Sequence, residues 1–227
     1  SNTDGMDVHS VGNTQVLRDT ALIEAFNLKA AVEYNLENYD AAKESLSDMP
    51  PRVEEEVDPV SLHNLALMHM EDDPQAGFRK LNFLLQNPPF PPETFANLLL
   101  LYAKHEYFDL AADVLAENMH LTQKYLQPEL YDFLDAVIMT QTSPEEAYKK
   151  LDLLASGHVD LMRKHTKTIN DAKLGHGSST VKEGLKVYDE ALDRFVPVLM
   201  WMAKIYWDRQ NYEQVEKIFK TSLEFCQ

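Results

Sequence analysis

An all-α chain built from antiparallel helical hairpins is the fold class this sequence predicts, and three observations predict it. Only 7 glycines occur among 227 residues, and β-branched residues nowhere alternate with polar ones as a strand requires. Apolar residues recur at helical spacing almost throughout. One phrase also recurs: "NYDAAKESL", "EYFDLAADVL" and "NYEQVEKIF" are near copies spread along the chain.

The recurrence has a period. When the second helix of each predicted pair is aligned by its opening residue, Tyr39, Pro74, Phe108, Pro144 and Tyr212 are separated by 35, 34, 36 and 68 residues, the last being twice 34. A period of about 34 residues belongs to tetratricopeptide (TPR) hairpins and the related pentatricopeptide ones, and is shorter than a HEAT or armadillo unit. The expected fold is a right-handed superhelical TPR solenoid of antiparallel helix pairs, with one extended helical hairpin inserted. The repeated phrase is architectural.

Taken in order, residues 1–20 open on the polar run "SNTDG" and are expected to be flexible or partly helical. Residues 21–155 carry TPR-like hairpins. Within one of them Phe95, Leu98, Leu99 and Tyr102 share a face of the first helix, and Phe108, Ala111 and Leu115 share the facing side of the second. Ala111 is small, so the two helices can approach closely. Ala42, Gly77 and Ala147 occupy the same slot in other pairs, and Val215 occupies it in the last. Asp58-Pro59, Asp73-Pro74 and Ser143-Pro144 read as helix starts: a side-chain acceptor precedes a proline whose missing N–H costs nothing in a first turn. Ser143 with Glu146, and Thr180 with Glu183, have the spacing of a capping box. In "NPPFPPETF" four prolines surround Phe90 and form a stiff joint, with Pro92 expected to open the next helix. The alternative for that cluster is a docking site for a proline-recognising domain.

Between Pro144 and Tyr212 one repeat's worth of chain is replaced. A polar helix over about 145–174, the turn "GHGSS" at 175–179 and a second helix over about 181–195 are expected, so that 156–195 forms an extended antiparallel hairpin projecting from the solenoid or packing along it. Residues 196–227 return to a TPR-like hairpin. The chain opens without Met and stops inside a helical pattern, which reads as the truncated end of a longer solenoid. Each fully buried Leu or Phe contributes about 1.5–3 kcal/mol, yet one hairpin leaves a face uncovered, so neighbours must stack to complete the core.

The net charge of -16 and a pI near 4.8 repel phosphate backbones and acidic membrane surfaces, which leaves basic or apolar partners. A single cysteine, Cys226, excludes an internal disulfide and a Cys-based zinc site, and fits a cytosolic or cytosol-continuous space. The longest apolar run, "LLLLY" at 98–102, falls far short of the ~18 residues of a membrane helix.

No catalytic or metal site is legible. His63 and His69 are six apart and His158 and His165 seven apart, so neither pair shares a helix face as four-residue spacing would provide, and no HExxH occurs. The acidic run "EEEVD" at 54–58 lacks the Asp/Asn/Gly spacing of a calcium loop. Asp132 and Asp135 have no nucleophile or phosphate loop beside them, and Asp135 is expected to satisfy a donor on a neighbouring helix. Cys226 has no nearby histidine, and no GxSxG occurs. No enzymatic activity and no cofactor are expected.

What remains is the concave surface lined by first helices. Asn27, Tyr34, Leu67, Met70, Asn97, Leu100, Phe133, Met139, Met200 and Trp207 are expected to face a partner there. Most are apolar, aromatic or Met, as on a surface meant to be covered. Packing across a tightly wound superhelix is the alternative. Lys104 and Lys204 are the only cations placed inside, which argues against a groove that grips an acidic chain terminus.

Three phrases, "NPPFPPETFANLLLLYAKHEYFDLAADVLAEN", "YDFLDAV" and "PVLMWMAKIYWDRQNYEQVEKIFKTSLEFC", make the chain resemble the TPR subunit of the intraflagellar transport B complex, the fleer family. "EAFNLKAAVEYNLENYDAAKESLSDMPPRVEEEVDPVSLHN" extends the resemblance back to Glu24, so that it covers nearly the whole chain, and 156–183 is its weak stretch, onto which nothing is carried over. The resemblance implies a non-enzymatic scaffold of the cytoplasm and the cilium or flagellum, including the axoneme and basal body region. It also implies a superhelix wrapped around an extended, partly proline-rich segment of another complex B core subunit, supporting ciliary assembly and the trains that a kinesin-type motor carries. The family has been linked to tubulin glutamylation, but nothing in these residues suggests a glutamylase. Two rival classes predict other residues: a chaperone-type adaptor needs a cationic, asparagine-rich groove, and an RNA-binding pentatricopeptide array needs a basic stripe.

Overall fold

The computed structural model describes residues 15–175 and 178–225. Most of the N-terminal stretch expected at 1–20 therefore lies outside the described residues, as does Cys226. Among the described residues every regular element is helical. The chain divides into two compact units, residues 1–98 and residues 99–227.

The first unit contains α1 (Gln15–Asp19), the pair α2 (Leu22–Asn35) and α3 (Tyr39–Ser47), a 3-10 turn (Glu54–Glu56), and the pair α4 (Pro59–Met68) and α5 (Pro74–Gln86). Helix α6 (Thr94–Lys104) opens in this unit and closes in the second. It starts at Thr94 rather than Pro92, because 87–93 is spent turning the chain. The second unit continues with α7 (Phe108–Glu117), α8 (Met119–Tyr125), α9 (Pro128–Met139), α10 (Pro144–Leu174), α11 (Ser178–Asp208) and α12 (Tyr212–Ser222).

The repeated phrase encodes a turn. At Glu37, Glu106 and Gln210 the backbone takes positive φ of 62°, 59° and 58°. In each case the next N–H reaches back five residues, Asn38 to the Glu33 carbonyl at 2.9 Å, Tyr107 to that of Tyr102 at 2.8 Å and Asn211 to that of Tyr206 at 2.9 Å. This is a Schellman cap with a non-glycine residue in the left-handed position. Where the second helix opens on proline the turn differs. Asp73 N–H bonds to the His69 carbonyl at 2.9 Å and Ser143 N–H to that of Met139 at 2.8 Å, without positive φ. Asp58 and Asp73 cap as expected, accepting from the N–H groups of Ser61 at 2.9 Å and Ala76 at 3.1 Å. Ser143 does not: its side chain makes no capping bond, and Glu146 pairs with Lys149 instead.

The small-residue slot holds. Ala42, Ala111 and Ala147 are fully buried, and Val215 is half-buried. A methyl group at Gly77 would stand 2.8 Å from the Met70 Cε and 3.0 Å from the Ala66 carbonyl oxygen, so only glycine fits that approach without adjustment.

The long hairpin runs further than its sequence suggests. Ile169 packs on Gly184, His158 faces Phe195 with ring centroids 6.5 Å apart, and Tyr148 meets Tyr206 at 5.1 Å, so α10 and α11 are antiparallel over most of their length. Two expectations fail here. Helix α11 does not stop near 195 but passes through Pro197 to Asp208, and it begins at Ser178, which places Thr180 and Glu183 inside the helix rather than in a cap. The turn expected at 175–179 includes 176 and 177, which lie outside the described residues. An internal proline costs a helix about 3 kcal/mol. Here the flanking Phe195, Val198, Leu199 and Met202 all enter the apolar core of the unit, and their burial outweighs that cost.

Candidate functional site

In the first unit the first-helix residues form a buried polar ladder rather than a groove. Asn97 Nδ2 lies 3.1 Å from His63 Nε2, and His63 Nδ1 lies 3.4 Å from Asn64 Oδ1. Asn64 Nδ2 donates to Asn27 Oδ1 at 2.9 Å, Asn27 Nδ2 donates to Ser61 Oγ at 2.9 Å, and Ser61 Oγ points to the Met49 sulfur at 3.6 Å. A neutral imidazole with its proton on Nδ1 satisfies both of its neighbours. Burial pushes the His63 imidazole below the ordinary histidine range, against the Asn64 contact and the Glu93 carboxylate. The ladder links α2, α4 and α6, and its steps of 34 and 37 residues match one repeat, or one repeat plus a helical turn.

Asn27 and Met70 are therefore corrections: at 7% and 4% exposure both are interior, the first as a rung of the ladder, the second packed over Gly77. Asn97 is half-buried in the same ladder and Leu67 is half-buried. Tyr34 is exposed and meets Tyr39 edge to face at 5.3 Å. In the first unit these five residues are thus rungs of the ladder, interior positions or surface positions.

In the second unit two of the expected residues share a cleft. Leu100 of α6 and Phe133 of α9 line a cleft of about 770 Å³ together with Leu130, Leu154, Pro197 and Val198. At its polar edge stand Glu129, His158, Asp193 and Arg194. His158 is 6% exposed, and its Nε2 lies 3.0 Å from Glu129 Oε1. Burial pushes this imidazole below the ordinary histidine range, Glu129 opposes the shift, and Arg194 adds to it.

Met200 and Trp207 line a second, smaller cleft of about 430 Å³, formed by α11 with Val215 and Phe219 of α12. Both are more than half exposed, and Trp207 meets Tyr212 edge to face at 5.0 Å. Met139 packs on the unit's core. Lys204 is engaged by carboxylates, with Glu106 at 2.8 Å and Asp208 at 3.0 Å. Asp135 pairs with Lys150 of α10, the neighbouring-helix donor its position called for.

His158, Arg194 and Pro197 were not expected at a binding surface. A lone histidine in a polar helix carries no spacing signal, and Pro197 lies just past the helix end expected near 195. Among the described residues no group of His, Cys, Asp and Glu is disposed to hold a metal ion, and no helix is long and apolar enough to cross a membrane.

Comparison with known proteins identifies the surroundings of this surface. Residues 94–227 match the family model of the intraflagellar transport protein 70 C-terminal domain. Over 224 residues the chain is 63% identical to intraflagellar transport protein 70A of Xenopus laevis and 62% identical to intraflagellar transport protein 70B of Homo sapiens, covering 99% of this chain and 34% of each relative. The chain thus spans about a third of the length of the curated relatives it matches.

Proposed function

This chain belongs to the intraflagellar transport protein 70 family, and on that premise we propose that it is a non-enzymatic scaffold segment whose apolar first-helix surface holds an extended, partly proline-rich segment of another complex B subunit. In this reading the chain is one stretch of a TPR solenoid acting in the cilium or flagellum, where it supports train formation. The observation that supports it most is the cleft around Leu100 and Phe133. Its floor and walls are apolar, it is open to solvent, and Leu100 and Phe133, two of the residues expected to face a partner, line it. Leu100 is 36% exposed, so the fold does not need its burial. The cleft at Met200 and Trp207 offers a second apolar contact on the last described pair. A chaperone-type groove for an acidic terminus fits less well, because Glu129 and Asp193 stand at the edge of the larger cleft and Lys204 is already paired.

Co-expression of the chain with proline-containing fragments of the other complex B subunits, followed by size-exclusion chromatography with light scattering, tests the reading. A stable one-to-one complex is expected. Leu100→Ala should weaken it about tenfold or more with the circular dichroism spectrum unchanged, as for an anchor residue at the centre of a contact. Absence of any complex with a well-folded chain would overturn the proposal. Loss of helicity together with binding would show instead that Leu100 belongs to the core.

A further inference from the structure

Resting on the proposed cleft, we infer that its occupant carries a lysine or arginine within an otherwise apolar stretch, and that Glu129 reads that basic side chain. The polar edge of the cleft carries more carboxylates than cations. Glu129 and Asp193 contribute two carboxylates against the single guanidinium of Arg194. His158 is more than nine-tenths buried, lines the cleft, and has its Nε2 turned to Glu129. With its proton on Nε2, toward the Glu129 carboxylate, the other ring nitrogen of this neutral imidazole is an acceptor.

A backbone acceptor adds to the count. Pro197 lies inside α11 and has no N–H, so the carbonyl of Asp193 lacks its usual helical donor, and both residues line the cleft. An apolar segment alone would cover these acceptors without satisfying them, which is costly. A proline-rich segment alone does worse, since each proline removes a backbone donor. A guanidinium or ammonium supplies several donors and the opposite charge at once. Burial keeps the His158 imidazole neutral, so it does not neutralise the Glu129 carboxylate. The overall charge of -16 favours a basic partner in the same sense.

The test uses the full chain and whichever complex B fragment forms the complex described above. Affinity is measured by fluorescence anisotropy for the wild type, Leu100→Ala and Glu129→Gln, and then against fragments in which each Lys and Arg is changed in turn to Gln. Glu129→Gln is expected to lose about tenfold, one basic substitution in the fragment to lose as much, and the two together to lose little more than either alone, as for one shared contact. Binding weakened by Leu100→Ala but unmoved by Glu129→Gln would overturn this inference while leaving the apolar cleft standing. So would a Glu129→Gln loss matched by no basic residue of the fragment. If Leu100→Ala leaves affinity unchanged, the cleft is not the site, and both readings fall.

Discussion

In residues 1–98 successive first helices are tied by amides, an imidazole and a hydroxyl, from Asn97 through His63, Asn64 and Asn27 to Ser61, with every contact between helices spanning about one repeat. In residues 99–227 the helices share a continuous apolar core running from Ala136 and Leu151 through Phe195 and Met202 to Ile218 and Phe225, with Phe195 and Phe225 edge to face at 6.0 Å. The two chemistries do different jobs. Apolar burial adds stability but is indifferent to a slip of one turn, whereas a directional ladder is satisfied in one register only. Short helices of 9–14 residues leave the first unit's pairs with little area to define their stacking. The two 31-residue helices of the second unit define theirs by length.

The contrast breaks most sharply at the apolar core. Leu151 is fully buried there, and Leu151→Ala should cost about 2–5 kcal/mol of unfolding free energy in a urea titration. Hydrogen exchange should place the lost protection in α10–α12. Equal loss in α2–α5 would show that the two units unfold as one.

The ladder should yield less. Asn27→Ala removes the acceptor of the Asn64 Nδ2 and the donor to the Ser61 Oγ, a penalty of about 1–3 kcal/mol. Asn27→Ala combined with Asn64→Ala should fall short of additivity, and a sum of independent effects would mean that the rungs do not act together.

A milder perturbation is acid. Burial lowers both His63 and His158 relative to the ordinary value of 6.5, so the unfolded chain takes up protons first as pH falls. Their contribution is complete above 6.5 and is lost below it, toward the depressed folded values. The urea midpoint should therefore drop between neutral and mildly acidic pH, and His63→Gln should flatten that drop. A midpoint insensitive to pH in the wild type would refute the neutral, ladder-bound imidazole.

The smallest effect runs the other way. Gln210 holds a positive φ of 58°, and Gln210→Gly should stabilise by about 0.5–1 kcal/mol by removing the strain of a side chain in the left-handed region. The same substitution at Glu106 should gain less, since it also removes the Lys204 ion pair.

Much of this architecture is legible in the residues themselves. The period, the small slot at Ala42, Gly77, Ala111 and Ala147, and the aspartate caps before Pro59 and Pro74 follow from local geometry, which a residue type either permits or does not. The two turn classes could have been read as well, because Tyr39, Phe108 and Tyr212 open helices after a Schellman cap while Pro74 and Pro144 do not. The candidate site was legible only in part. Leu100 and Phe133, picked out by the period, line one cleft, yet Asn27, Asn97 and His63 carried a signal that periodicity does not weigh, polar residues recurring one repeat apart on a first helix.

What the sequence by itself determined is the helical class, where most pairs turn and which face of each helix is apolar, because those depend on neighbours within a few residues along the chain. What covers each face was decided by the tertiary structure. Asn27 and Met70 became interior, Leu100 and Trp207 stayed exposed, and α11 continued through Pro197, because burial is settled by the helices that arrive from elsewhere in the chain and by the area they bury.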